Sequence, residues 1–403
     1  MKILFVTHAF PRHAGDAAGS FLLGLAVALR ERGADVSVLA PAGPGLAPSD
    51  TIAGVAVRRF RYAPAPLETL AYTGTMVEQV RESVGGALAL AGMLALGRAA
   101  VRRTREQLAP DVVHAHWWFP AGLVARSQPG TTALVTTLHG TDVRLAAARG
   151  IGRRLFRYVA RGSDRVTAVS SWLAERAAAT CPGLAPDIAP MPVDTTLLAP
   201  PAATAARAGV LFVGRLNAQK GAADLVRAFA RVHAPSKLDL VGDGPDAAAT
   251  RALALELGVG DRVHFHGALP HESLPGWYQR AAVVVVPSRE EGLGLVAVEA
   301  HLCGAPVVAY DSGGLRDVVR HGESGLLVPP GDGAALTDAI DTMLARPDLA
   351  AGLAAVGRRE VLARFSPDAV ASRYLGIYEQ AIDAAARRLL APARATAAHA
   401  PHA

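Results

Sequence analysis

Cysteine is close to absent from this chain. Cys181 and Cys303 are the two cysteines in 403 residues, and they lie far apart. They supply neither a disulfide framework nor a metal-ligand spacing, so a reducing cytoplasm is the expected compartment. Aromatic residues make up only 5% and are not interleaved with the basic residues, and no zinc-finger, homeodomain or RNA-binding signature occurs; nucleic acid is not an expected partner. The loop after the first strand has no Gly-x-Gly-x-x-Gly, which argues against a dinucleotide enzyme, and no G-x-x-x-x-G-K-[ST] string forms a Walker A loop. Long apolar runs are also missing. Val84–Gly97 holds 14 consecutive uncharged residues, short of the roughly 20 that span a bilayer. The reading is a buried or partly buried helix, with the basic flank Arg98, Arg102, Arg103 and Arg105 leaving a membrane-surface role open. Lys2 is followed directly by the apolar strand pattern Ile3–Val6, with no cleavable leader expected.

What is present is a two-part α/β pattern. The length suits two domains, and 51% hydrophobic residues against 19% charged allow substantial cores. Strands are expected at Ile3–Val6, Val36–Leu39, Val112–His114, Ala133–Leu138 and Arg165–Val169, with helices between them. Such alternation means a parallel sheet covered on both faces. A passage from Pro182 to Pro201 holds six prolines and reads as a linker. Alternation restarts with Val210–Val213, Lys237–Val241, Arg262–Phe265, Val283–Val286 and Pro306–Ala309, and two helices near Leu349–Arg364 and Asp368–Arg388 close the pattern. The expected domains are 1–195 and 205–367, with a disordered Ala/Pro/His-rich tail over 390–403.

The richest stretch is Val283–Asp317. The valine run Val283–Val286 stops at Pro287, and then come Glu290, Glu291, Gly292 and Gly294. A helix follows that carries Glu299, and a second apolar strand closes at Gly313 and Gly314. Backbone amides and a helix N-terminus suit a phosphate, and carboxylates suit hydroxyls. A ligand with both is a sugar nucleotide. Arg215 and Lys220 follow the first strand of the second half, at the sheet edge where α/β ligands bind. Two cations there suit a leaving diphosphate.

Glu291-x7-Glu299 within S-R-E-E-G-L-G-L-V-A-V-E-A, followed by C-G-A-P-V-V-A, resembles the nucleotide-sugar signature of the family-four retaining glycosyltransferases. Val213–Gly221 resembles the same family's diphosphate loop, and Met1–Ala40 and the His139-Gly140 turn match as well. The resemblance covers most of residues 1–380. It implies the GT-B architecture: two Rossmann-like, doubly wound parallel-sheet domains facing across a cleft. The first would take the acceptor and be joined by the C-terminal helix at about 368–388; the second would take the nucleotide sugar. It further implies that Arg215 and Lys220 hold the diphosphate, Glu299 the ribose hydroxyls and Glu291 the donor sugar. Gly292, Leu293 and Gly294 would offer amides, Leu293 standing where the family often has Phe. Gly15 and Asp16, in the loop FPRHAGDAAGS, would lie near a phosphate and sugar hydroxyls, and His139 beside the reacting sugar. The Gly242-Asp243-Gly244-Pro245 turn is also a family feature and reads as mainly structural. No two aspartates are spaced as Asp-x-Asp, the pair that metal-dependent glycosyltransferases of the other main fold use. Neither a metal nor a cofactor is therefore expected.

The first half is basic, with 21 Lys and Arg against 14 Asp and Glu up to Pro200; the remainder has 20 against 21. That points to an anionic partner near the first half. Arg149, Arg153, Arg157 and Arg161 recur every four residues as a cationic stripe, either a solvated face or a site for a phosphate-bearing acceptor or lipid headgroups. His114 and His116 are read as following a strand and lining the substrate pocket rather than holding a metal. Asp142 is the nearest rival as an acceptor base. The expected function is retaining transfer of a sugar to a hydroxyl of a glycan, a lipid-linked saccharide or a small polar acceptor, in the cytoplasm and in peripheral contact with an anionic membrane. A sugar-nucleotide epimerase and a non-catalytic nucleotide-sugar-binding partner are the alternatives.

Overall fold

The computed structural model describes residues 1–397 apart from 14, 17, 73–75, 127–131, 148–149 and 202–205, and side chains as far as 390. The chain divides into two compact units. One is Met1–Pro192 together with the chain from Pro367, and the other is Val193–Ser366.

The first unit holds β1 (Lys2–Val6), β2 (Asp35–Pro41), β3 (Ser49–Ile52), β4 (Val55–Phe60), β5 (Val112–His116), β6 (Ala133–Leu138), β7 (Arg165–Ala168) and β8 (Asp187–Ile188), in the order β3-β4-β2-β1-β5-β6-β7-β8. Every pairing is parallel except β3 with β4. Its central strands are apolar and buried, as a sheet covered on both faces demands. Leu4, Val6, Val113 and Ala115 pack on Val101 and Val124 of the covering helices.

The antiparallel β3–β4 pair escapes the sequence reading. Its turn is Ala53-Gly54, with φ of 47° and 78°, so the reversal is made without the Asn-Gly signal that usually marks it. The final helix, Pro367–Ala397, belongs to the first unit and buries Tyr374 and Tyr378 there. It stays helical past Leu390, where loss of order is expected from composition. The uncharged run at Val84–Gly97 proves to be only the first part of a 25-residue helix, Val84–Leu108. That is long and apolar enough to cross a membrane by length and composition, whereas the uncharged run alone is too short.

The second unit holds β9 (Val210–Val213), β10 (Leu238–Val241), β11 (Val263–Gly267), β12 (Val283–Val286), β13 (Val307–Tyr310) and β14 (Leu326–Val328), all parallel, in the order β11-β10-β9-β12-β13-β14. Phe212, Leu240, Val285 and Tyr310 meet Leu225, Phe229 and Ile340 from the helices in one core. Burying an aliphatic or phenyl side chain of this kind is worth about 1.5–3 kcal/mol. Four consecutive valines fit β12 because both its faces are covered.

Candidate active site

Both sheets contain a point where strand order reverses. In the second unit, β9 and β12 are neighbours, yet the chain goes outward through β10 and β11 before returning to β12. In the first, β1 and β5 are neighbours in the same sense. Loops leaving the carboxyl ends of such strand pairs diverge, and open α/β sheets bind ligands there.

The loops after β9 and β12 bring the second unit's expected site residues together. Lys220 Nζ lies 2.6 Å from Glu291 Oε2, with both side chains largely covered. The loop after β9 is held by Asn217, whose Oδ1 and carbonyl accept from the Lys220 amide at 3.0 and 3.1 Å. Arg215 is exposed on the same loop, and no carboxylate among the described residues forms an ion pair with it. The turn at Gly242–Gly244 packs backbone to backbone on this loop. A Cβ on Gly242 would sit 1.9 Å from the Gly214 carbonyl oxygen, which gives that turn the structural role expected of it.

After β12, the Gly314 amide donates to the Glu291 carbonyl at 2.8 Å. A Cβ on Gly313 would meet that same oxygen at 2.2 Å. The Gly292-Leu293-Gly294 segment is thus clamped by the turn after β13. Leu293 is buried, and Gly294 caps the helix Leu295–Leu302 that carries Glu299. Glu299 is not a bare carboxylate. Tyr278 Oη donates to its Oε2 at 2.7 Å, and His271 Nε2 lies 3.1 Å from its Oε1. The His271 bond raises that imidazole's pKa. A carboxylate accepts about four hydrogen bonds, so two positions remain for ligand hydroxyls.

In the first unit, the carboxyl ends of β1, β5 and β6 gather histidines and aromatics. His139 follows β6 and lies 3.3 Å from His116 Nδ1 through its Nε2. Burial, then the nearby His8, pushes the His139 pKa down to about 3. The ring is therefore neutral at pH 7 and works as a hydrogen-bonding group, not a cation. Its turn is organised by Asp142, fully enclosed, whose carboxylate accepts from the backbone amides of His139, Gly140, Val143 and Trp118 at 2.9–3.3 Å. Burial pushes the Asp142 pKa up against those four bonds. That arrangement replaces the acceptor-base reading: the carboxylate is spent on fixing the turn.

Two further expectations shift. His114 and His116 do not follow the strand but lie on β5 itself, and both are fully buried. His114 bonds Tyr378 Oη at 2.8 Å and Thr137 Oγ1 at 2.6 Å, which makes it a satisfied core side chain. His116 reaches the edge only through His139. Gly15 turns with φ 86° in open space. Asp16 is buried against Arg12, with Nε–Oδ2 of 2.6 Å, and also accepts from the Arg12 and Ala18 amides. The Arg12 side chain holds its pKa well below the usual range. Asp16 thus closes its own loop instead of presenting oxygens to a sugar. Arg153 is half-buried, Arg157 bonds the Thr180 carbonyl, and Arg149 lies outside the described residues.

The sequence reading misses His8, Phe21, Trp117, His271 and Tyr278. Trp117 takes φ 68°, uncommon for a bulky residue and costly to hold. Its ring lies 4.4 Å from His139 and 4.5 Å from His8, and Phe21 lies 5.3 Å from His139. The H-x-H-W-W run at a strand end was the available signal.

The chain is similar to known proteins over both of its halves. Residues 18–197 match the model of Glycosyltransferase Family 4, and residues 202–360 that of Glycosyl transferases group 1. A D-inositol 3-phosphate glycosyltransferase of Acidothermus cellulolyticus is 35% identical, over 94% of this chain and 89% of its own. A GDP-mannose-dependent alpha-(1-6)-phosphatidylinositol monomannoside mannosyltransferase of Mycobacterium tuberculosis is 32% identical, over 67% of this chain and 77% of its own. Among solved structures, sucrose-phosphate synthase of Thermosynechococcus elongatus superposes with a TM-score of 0.76 at 27% identity, covering 95% of this chain and all of that one. The chain belongs to glycosyltransferase family four and is a hexosyltransferase-type enzyme of the GT-B architecture.

Proposed function

We propose that this enzyme moves a hexose from a nucleoside diphosphate sugar to a hydroxyl of a glycan, lipid-linked saccharide or small polar acceptor, with retention and without a metal. The observation that carries the reading is the meeting of two loops at the β9/β12 reversal. There a fixed lysine, an exposed arginine and two supported carboxylates share one sheet edge. Arg215 and Lys220 take the diphosphate, Glu299 the ribose, and Glu291 the hexose hydroxyls. The names of the two relatives, an inositol phosphate glycosyltransferase and a phosphatidylinositol mannoside mannosyltransferase, favour a hydroxyl-rich acceptor. Two buried free cysteines suit a reducing cytoplasm.

In this reading the bond from the anomeric carbon to the diphosphate oxygen breaks, and the acceptor oxygen bonds to the same face of that carbon. The acceptor's proton passes to the leaving phosphate oxygen, so no enzymic nucleophile is needed. Lys220 then exchanges Glu291 for the phosphate, and Glu291 is released toward the sugar hydroxyls. Neutral His139 hydrogen-bonds the hexose without adding charge, which leaves stabilisation of the developing anion to Arg215 and Lys220.

Thermal-shift titration with UDP-, GDP- and ADP-hexoses tests the donor site. One nucleotide series is expected to stabilise the protein, and Lys220→Ala to remove that shift. Stabilisation that survives Lys220→Ala would reject the diphosphate assignment.

A further inference from the structure

The helix Val84–Leu108 lies on the first unit by one narrow face. Ala89 and Met93 pack on Tyr62 and Leu70, and Val101 joins Leu4 and Val113 in the main core. A Cβ on Gly92 would meet the Tyr62 carbonyl oxygen at 2.1 Å, so the helix is seated close to the backbone beneath it. Yet only 28% of its most apolar 18-residue window is buried. Residues 84, 88, 91, 95, 98 and 102 recur at helical spacing on the outer side. Val84 is 78% exposed and Leu88 65%, and Leu96 on the flank is 46% exposed. The stripe then turns basic, with Arg98, Arg102 and Arg103 exposed and no acidic residue from Val84 to Arg105.

A second helix, Ile151–Gly162, extends this surface. Its exposed side carries Ile151, Arg154, Tyr158 and Arg161, again at three- and four-residue spacing. Leu94 and Arg98 of the first helix and Leu155 and Tyr158 of the second line one groove of about 320 Å³, floored by Leu123 and Val124. Arg126 lies over the Tyr158 ring at 4.9 Å. Apolar side chains and cations therefore alternate over one continuous face of a unit whose sequence carries the chain's whole positive excess.

We propose that this face docks on an anionic lipid bilayer. The apolar outer stripe and Ile151 enter the headgroup boundary while the arginines meet the phosphates. This is the pattern of a helix that lies in the interface plane and does not span it. Exposed apolar side chains on a helix explain adhesion, and the surrounding cations select an anionic surface over a second copy of the same positively charged face. The docking holds whichever nucleotide the donor site prefers, because none of these residues belongs to that site.

The test is co-sedimentation of the full chain with vesicles of phosphatidylcholine alone and with 30 mol% phosphatidylglycerol. Binding is expected to the anionic vesicles only. It should fall steeply between 50 and 300 mM salt, since the Debye length drops below about 10 Å over that range. Arg102→Glu with Arg103→Glu should weaken binding at least tenfold, from roughly fivefold per cation. Leu88→Asp should weaken it comparably at low salt. All variants should keep the wild-type melting midpoint and the donor-induced thermal shift. Equal binding to both vesicle types, or no binding, would overturn the proposal. So would light scattering that shows a dimer in lipid-free buffer dispersed by Leu88→Asp, because the face would then belong to a second copy.

Discussion

Tyr278→Phe removes one oxygen atom and leaves the ring in place. Tyr278 is fully buried, and its hydroxyl donates at 2.7 Å to Glu299 Oε2. Hydrogen bonds to a charged group contribute about 1.5–3 kcal/mol, and the carboxylate side chain is only 12% exposed, so little water replaces the lost donor. The expected loss of stability is about 1.5–3 kcal/mol. At roughly 2–4 °C per kcal/mol for a domain of this size, the melting midpoint of the second unit should fall by about 3–12 °C.

Glu299 then relies on His271 alone. That bond raises the His271 pKa above its ordinary value of 6.5. A raised pKa means the protonated pair stabilises fully below the ordinary value and loses its contribution as pH rises through the raised one. Donor affinity of Tyr278→Phe should therefore weaken by about tenfold at pH 8.5 and much less at pH 6. His271→Gln in the same background should flatten that pH dependence. Calorimetric donor titration from pH 6 to 8.5 measures both, and kcat should change less than KM because the ribose is remote from the reacting carbon. A lowered midpoint with unchanged donor affinity at every pH would refute the reasoning and return Tyr278 to the core.

Lys220→Ala is expected to abolish transfer while leaving the melting midpoint within a few degrees. Its ion pair with Glu291 is largely covered, but Lys220 stands on a ligand-facing loop and adds little to the core; wild-type turnover would remove the diphosphate assignment. Activity should survive excess EDTA, and loss restored by manganese or magnesium would assign the leaving group to a metal. His139→Asn should lower kcat by ten- to a hundredfold with donor affinity nearly unchanged, since the buried ring is neutral and contributes through orientation. An equal loss in both parameters would make it a binding residue only.

What the sequence made legible was local. The valine run of β12, the Arg215–Lys220 loop and the Glu291–Glu299 spacing each sit within a few residues of a strand end, so pattern and position suffice. Partners brought in from elsewhere were not legible. Glu299 meets Tyr278 and His271 from 21 and 28 residues away, and Lys220 meets Glu291 across 71. Asp16 and Asp142 were read as ligand-facing because a carboxylate in a loop looks available. Folding gives the first to Arg12 and the second to four backbone amides. His114 carries the same lesson, since only the returning C-terminal helix supplies Tyr378. The β3–β4 pair was missed because Ala53 adopts positive φ without a residue type that announces it.

The central claim is retention on a donor held by Arg215, Lys220, Glu291 and Glu299. The most direct measurement is the anomeric configuration of the new glycosidic bond formed from an α-linked nucleoside diphosphate hexose, read from its anomeric coupling by NMR. The account predicts an α product, lost in Lys220→Ala; a β product would contradict it and require a general base that the enclosed Asp142 and the Arg12-bound Asp16 are not placed to supply.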